Sequence, residues 1–207
     1  MTNKELAKEI ALGIIQTKVE GYYNSVSCSS IGDYPSLGIS QWEGINGGRG
    51  DILLSYIDGG SRFSNRRYSD IARKDELQDL KNLLDSKQGR EAQQIILTQD
   101  CLDKYVPKLE QIETLDDSRC FIYAGIWCPT SEKVVYKFIK DRQYTYNFRS
   151  LLKMNELFKS KYYIVAKVGY RYKKGYENRA DKTYQYVAGI DLSAYDVPTY
   201  GEAGNER

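Results

Sequence analysis

Val19-Glu20-Gly21-Tyr22-Tyr23-Asn24-Ser25-Val26-Ser27-Cys28-Ser29-Ser30-Ile31-Gly32-Asp33-Tyr34-Pro35-Ser36-Leu37-Gly38-Ile39-Ser40-Gln41-Trp42 is the stretch on which the fold turns. Ahead of it, Thr2-Asn3-Lys4-Glu5 has the form of a capping box, in which a hydroxyl and a carboxylate close the first turn of a helix. Leu6, Ile10 and Ile14, with Ala7, Ala11 and Ile15, then recur at helical spacing. The pattern predicts a helix ending near Glu20-Gly21, where glycine is a natural stop. From Tyr22 to Gln41 helical periodicity disappears, and Ser, Gly, Asn, Asp and Pro dominate. Gly32-Asp33-Tyr34-Pro35 reads as a turn, and a short strand is expected around Ser36 to Ser40. A carboxyl group at a helix end therefore faces a polar, aromatic-lined excursion.

Downstream, the pattern is helical almost throughout. Helices are expected over 47–57, 75–86, 87–109 with a bend near Pro107, a segment capped by Asp116 or Asp117, a segment capped by Ser131, and 147–159. Residues 61–74 are basic and polar and read either as a solvated loop or as a contact surface for an acidic polymer. Beyond Ser160 the chain is rich in tyrosine, with helices expected over 161–172 and 181–188 and a flexible tail over 193–207. The fold class is thus mainly α (α+β), a helical domain with a small β-hairpin or loop excursion after the first helix.

Composition narrows the chemistry. The chain has 207 residues, 41% of them hydrophobic and 28% charged, which suits a globular protein with a real core. Its net charge of +2 gives no reason to expect nucleic acid as partner. There is no histidine, which removes Ser-His-Asp and Cys-His catalysis and histidine-ligated zinc. The 4 cysteines, Cys28, Cys101, Cys120 and Cys128, form no C-x-x-C pair. No metal or other cofactor is expected. The absence of an apolar leader or a long apolar run predicts neither a membrane span nor a signal peptide, and buried free thiols in a reducing cytoplasm. The 19 tyrosines suit either carbohydrate contacts or the rims of helix contacts.

Glu20-Gly21-Tyr22-Tyr23-Asn24-Ser25-Val26-Ser27, followed by Ser36-Leu37-Gly38-Ile39-Ser40-Gln41-Trp42, resembles a pattern of phage and bacterial lysozyme-like wall hydrolases. That pattern reads roughly E-S-G-G-x-Y-x-A-V-N, a polar stretch, then S-I-G-I-L-Q-W. It is related to the E-S … G-L-M-Q signature of goose-type lysozymes and soluble lytic transglycosylases. Gly21 stands in place of the family's Ser, Gly21-Tyr22 in place of its Gly-Gly, and Ser40 in place of its Leu. The resemblance implies a lysozyme-like catalytic domain over about residues 1–145. Residues 146–192 would be a C-terminal helical extension packed on the same domain.

The resemblance also implies cleavage of the β-1,4 bond between N-acetylmuramic acid and N-acetylglucosamine, with Glu20 as the acid and Gln41 as its companion. The substrate partner would be a peptidoglycan glycan strand. The resemblance also admits a phage virion or a wall-binding partner. The protein would be made in the host cytoplasm and would act on the wall as an endolysin or a virion-borne lysin. A partly buried Glu keeps its proton because desolvation disfavours the carboxylate. A hydrolase needs a second carboxylate, and Asp33 is the first candidate, with a turn role as its rival; Glu43 is the weaker one. Without either, Glu20 would act alone, as in a lytic transglycosylase. Ser36 or Ser40 could orient water, and Tyr22, Tyr23, Tyr34 and Trp42 could stack on sugar faces, Trp42 equally well as a core anchor. The competing class is a non-catalytic structural or wall-binding module.

Overall fold

The computed structural model describes residues 1–18, 20–29, 32–165 and 170–195. It is mainly helical with one small antiparallel sheet, as the pattern predicts. By packing, the chain forms two compact units, Lys18–Gln99 and a second built from Met1–Thr17 together with the chain from Asp100 onward. These divisions fall at places other than residue 145.

Within the second unit, α1 (Asn3–Thr17) begins with the expected capping box. The Thr2 amide donates to Glu5 Oε2 at 2.7 Å and the Glu5 amide donates to Thr2 Oγ1 at 3.4 Å. The helix stops at Thr17, earlier than predicted, because Lys18 adopts φ 51°, outside the right-handed helical region. Glu20 therefore lies beyond the helix, in a bend.

α1 packs on α7 (Ser118–Trp127) and α11 (Lys173–Ala188). Asp117 caps α7 by accepting from the Cys120 amide, one of the alternatives the sequence offered. α7 and α11 run antiparallel and cap each other. Arg119 Nη1 donates to the Val187 carbonyl at 2.7 Å, while Arg179 Nη2 donates to the Ile126 and Trp127 carbonyls at 3.3 Å. Each guanidinium thus meets the orphan carbonyls and negative dipole end of the other helix. α8 (Glu132–Lys140) is capped by Ser131 and α9 (Leu151–Leu157) by Ser150.

A cluster of rings fills the interior of this unit. Trp127 lies 4.9 Å from Phe158 and 4.8 Å from Tyr162 between centroids, and Phe138 packs edge-on against both. Tyr123 is buried and donates its hydroxyl to Asn155 Oδ1 at 3.0 Å. Tyr105, Tyr123 and Tyr162 are buried, whereas the other described tyrosines are half-buried or exposed, so most of the tyrosine excess lies at the rims and surface rather than in the core. Cys101, Cys120 and Cys128 are free and buried, and burial raises their thiol pKa values, as befits unreactive thiols; Cys28 is free and exposed. The helix expected over 181–188 is the end of α11, which begins at Lys173. The one expected over 161–172 lies partly outside the described residues, as does most of the predicted tail; its described parts are the end of a π turn (Phe158–Tyr162), the short α10 (Tyr163–Val165) and a tight helical turn at Tyr170–Tyr172.

In the Lys18–Gln99 unit, β1 (Val26–Cys28), β2 (Pro35–Leu37) and β3 (Trp42–Glu43) form the sheet in that order. Alternation along the strands sorts its faces. Leu37 pairs with Trp42 and both are buried, whereas Ser36 stands between Ser27 and Glu43 on the opposite face. α2 (Arg49–Ser55) packs on β3 and α4 (Leu77–Asp85) on β1, and with α3 (Tyr68–Arg73) and α5 (Lys87–Asp100) they contribute the buried Leu53, Leu54, Ile71, Leu80, Leu84 and Ile96.

The basic segment 61–74 contains α3, and its arginines are held internally. Arg62 pairs with Asp79, Arg66 with Glu76 and Arg73 with Asp70. From α5 the chain runs through a wide π turn at Cys101–Tyr105 into α6 (Val106–Leu109). That turn precedes Pro107, whose ring would crowd the Asp103 carbonyl of a regular helix.

Close approach of α1 and α7 depends on glycine. A Cβ at Gly125 would lie 2.4 Å from Ile10 Cδ1, and one at Gly13 would lie 2.3 Å from Ile126 Cδ1. Alanine at 125 gains about 1 kcal/mol of helix propensity, but overpacking a buried contact costs about 1–3 kcal/mol. Gly125→Ala is expected to lower the urea midpoint of the protein; an unchanged or raised midpoint contradicts the close packing.

Candidate functional site

Tyr22 to Ser25 form a loop tied to the turn that follows β2. The Tyr22 amide donates to Ser25 Oγ at 2.8 Å, the Ser25 amide returns to the Tyr22 carbonyl at 3.0 Å, and the Gly38 amide donates to the Ser25 carbonyl at 2.8 Å. Gly38 has φ 69° and begins a tight turn that ends at Gln41. Gly21 lies against that turn, where an added Cβ would sit 2.9 Å from the Gly38 carbonyl oxygen. This explains in steric terms why glycine stands at 21 where the resembling pattern has serine.

Gln93 of α5 locks the whole arrangement. Its side chain is fully buried. Oε1 accepts from the Ile39 amide at 3.0 Å, and Nε2 donates to the Tyr23 carbonyl at 3.1 Å and the Leu84 carbonyl at 2.9 Å. One amide thus joins the loop, the turn and the end of α4. Its neighbour Gln94 donates to the Tyr23 hydroxyl at 2.8 Å, and the Arg90 guanidinium lies 5.4 Å from that ring's centre.

The result is an open cleft of about 330 Å³ lined by Glu20, Asn24, Ser25, Ser27, Gln41 and Lys81, with Val26. Gln41 has φ 52°, a left-handed conformation uncommon for a residue with a side chain. Its side chain is fixed on both ends: Oε1 accepts from Ser27 Oγ at 2.7 Å and Nε2 donates to the Gly38 carbonyl at 2.9 Å. Glu20 is half-buried and is the one carboxylate among the described lining residues. Lys81 from α4 is the one cation among them, and the remaining polar groups are hydroxyls and amides.

Of the residues predicted for the site, the cleft gathers Glu20 and Gln41. Asp33 is placed elsewhere and does a different job. Its carbonyl accepts from the Tyr68 amide at 2.7 Å, and its carboxylate accepts from the Ser69 amide at 3.3 Å and from the Ser69 hydroxyl. Asp33 thereby caps α3, whose own N-terminal residue Arg67 provides no side-chain acceptor. The Ser69 hydroxyl holds its carboxyl below the ordinary value, with the Cys28 thiol and Arg67 adding to that effect. Asp33 therefore lies outside the cleft lining, and its carboxylate serves the start of α3 rather than a turn of its own.

Trp42 is 7% exposed and packs into the core, so its anchoring role replaces the stacking one. Tyr34 and Tyr22 lie outside the lining; Arg67 covers the Tyr34 ring at 4.2 Å, and Lys18 approaches the Tyr22 ring at 5.2 Å. Tyr23 is tied down by Gln94 and Arg90, as described above. Ser36 belongs to the open face of the sheet with Ser27 but does not line the cleft, nor does Ser40. Glu43 shares that face and accepts from Ser29 Oγ at 2.7 Å.

Sequence reasoning missed Lys81 and Gln93 in these roles. Lys81 follows the buried Leu80 at the edge of the apolar stripe of α4, a position no local pattern distinguishes from a solvated lysine. Gln93 is a polar residue in the register of buried positions, between Ala92 and Ile96. That mismatch is the one signal that could have found it.

A second cleft, of about 460 Å³, belongs to the other unit and includes Glu9, Gln16, Tyr186 and Asp191. Its buried Glu9 accepts from the Tyr186 hydroxyl at 3.3 Å and from the Tyr195 hydroxyl at 2.6 Å. That carboxylate holds the Tyr195 hydroxyl's proton, pushing its pKa up to about 12. Comparison with family models, characterised proteins and solved structures finds no match to this chain.

Two outcomes follow from this geometry. Gln93→Met removes the partner of three backbone groups, two of them buried and the Tyr23 carbonyl partly so, each costing about 1–3 kcal/mol when left unpaired in the interior. Denaturant titration is expected to give a loss of at least about 3 kcal/mol; a loss near zero contradicts the hub. Asp33→Asn is expected to lower the melting temperature at neutral pH and to leave the Glu20 cleft intact. Because the folded pKa of Asp33 is depressed, its stabilisation is present above the unfolded value of about 3.9. It is lost as pH falls through the lower folded value. The difference in melting temperature between wild type and Asp33→Asn should therefore shrink on acidification; a constant difference refutes the cap.

Proposed function

We propose that this protein cleaves the glycan strand of peptidoglycan between N-acetylmuramic acid and N-acetylglucosamine, with Glu20 as general acid. One observation carries the reading: Glu20 and Gln41, far apart in sequence and central to the resemblance, line the same open polar cleft. The neutral hydroxyl and amide groups of Asn24, Ser25, Ser27 and Gln41 are suited to sugar hydroxyls and N-acetyl groups. Gln41 is held in a left-handed conformation by its own hydrogen bonds, and backbone strain of this kind clusters at functional sites.

In this mechanism Glu20 donates its proton to the glycosidic oxygen as the bond to the anomeric carbon breaks. The oxocarbenium-like sugar is then trapped by an oxygen nucleophile, and Glu20, now a carboxylate, removes that nucleophile's proton. With Asp33 engaged at α3 and Glu43 outside the lining, Glu20 serves as acid and then as base. This favours intramolecular attack by the muramic 6-hydroxyl, the lytic transglycosylase outcome, over the hydrolysis that a second carboxylate would promote.

Glu20→Gln keeps the shape of the side chain and removes its acid. It is expected to abolish clearing of purified cell walls, with an unchanged circular dichroism spectrum. Clearing at the wild-type rate, or no clearing by the wild type, leaves the non-catalytic module as the better reading. Mass spectrometry of the products decides the nucleophile: anhydro-muramic ends for the 6-hydroxyl, reducing muramic ends for water.

A further inference from the structure

The basic groups near the sheet divide into two kinds. Arg62, Arg66 and Arg73 are each paired with a carboxylate of their own unit. Lys81 differs: among the described residues no carboxylate lies within ion-pair distance of it, yet it is half-buried at the wall of the Glu20 cleft. α4 fixes it there, because the adjacent Leu80 and the nearby Leu84 are fully buried. A lysine so placed lays its aliphatic stem along the protein and presents its ammonium to the cleft.

An ammonium at a cleft wall with no carboxylate within ion-pair distance attracts an anionic ligand. The other lining groups are neutral apart from Glu20, which repels anions. Any carboxylate on the bound strand would therefore settle at Lys81.

We propose that Lys81 binds a carboxylate of the substrate and makes the cleft select acidic wall strands over neutral N-acetylglucosamine polymers, an inference that rests on the glycosidase reading of this cleft. The carboxylate has two possible sources, the lactyl group of N-acetylmuramic acid or the stem peptide attached to it. Lys81 is thus a specificity residue that touches substrate away from the bond being broken, while Glu20 performs the chemistry.

The test measures binding to the Glu20→Gln protein by calorimetry, with and without Lys81→Gln. The probes are an N-acetylglucosamine tetramer, an alternating tetramer with free lactyl carboxylates, and the same tetramer carrying its stem peptides. Lys81→Gln is expected to weaken one of the acidic probes about tenfold and to leave the neutral one unchanged, with Lys81→Arg restoring most of the loss. Loss on the free lactyl probe assigns that carboxylate; loss confined to the peptide-bearing probe assigns the peptide.

Equal effects on all three probes, no effect on any, or no binding of any probe overturns the inference. Wall clearing by the protein with Lys81→Gln alone separates a further case. If Lys81 acted only through Glu20, kcat would fall and the pH profile would move for every substrate. The proposal predicts a raised KM for acidic substrates with an unmoved profile. Glu20-dependent clearing without Lys81-dependent discrimination removes this inference alone, whereas discrimination in a protein that clears no walls removes the glycosidase reading alone.

Discussion

Three hydrogen bonds from the buried amide of Gln93 hold the candidate site together. Oε1 fixes the tight turn that delivers Gln41, and Nε2 fixes both the loop after Glu20 and the end of the helix that carries Lys81. Two of these bonds satisfy buried backbone groups, at Ile39 and Leu84, and the third a partly buried one at Tyr23. A site assembled from a loop, a turn and a helix has no rigidity of its own, so a buried polar hub is a physical requirement here. Gly38 completes the lock: its φ of 69° and its contact with Gln93, which leaves no room for a Cβ, admit only glycine.

The other unit solves a different problem with the same economy of polar groups. α1 and α7 pack closely because Gly13 and Gly125 leave room for isoleucines. The ends of α7 and α11 are then closed by each other's arginines. Trp127, Phe138, Phe158 and Tyr162 fill what remains. Buried Tyr123 donates its hydroxyl to Asn155, while most of the described tyrosines keep part of their rings at the surface.

The chemistry proposed for the cleft is limited by what the excursion does with its acids. Asp33 and Glu43 each have a local hydroxyl partner, Ser69 and Ser29, and Asp33 closes the start of α3. With those carboxylates engaged, a Glu20-centred reaction uses one group twice. The polar lining and the half-buried lysine bear on which strand would bind, and the glutamate bears on which bond would break.

The helices were legible in the sequence because their signals are local. Capping residues Thr2, Asp117 and Ser131, apolar spacing, and Pro107 act within a turn or two of their own positions. The turn at Gly32-Asp33 was legible for the same reason, but the strand expected around Ser36 to Ser40 is only Pro35–Leu37, because Gly38 opens a tight turn there. Glu20 and Gln41 were found through a motif, which records spatial neighbours as residues in a line.

Tertiary structure alone decided the rest. Whether Asp33 reaches Glu20 or Ser69, whether Trp42 faces sugar or core, and whether Lys81 faces solvent or the cleft depend on contacts between residues distant in sequence. No periodicity encodes such contacts. They follow from how a buried amide on α5 positions separate pieces of backbone against one another.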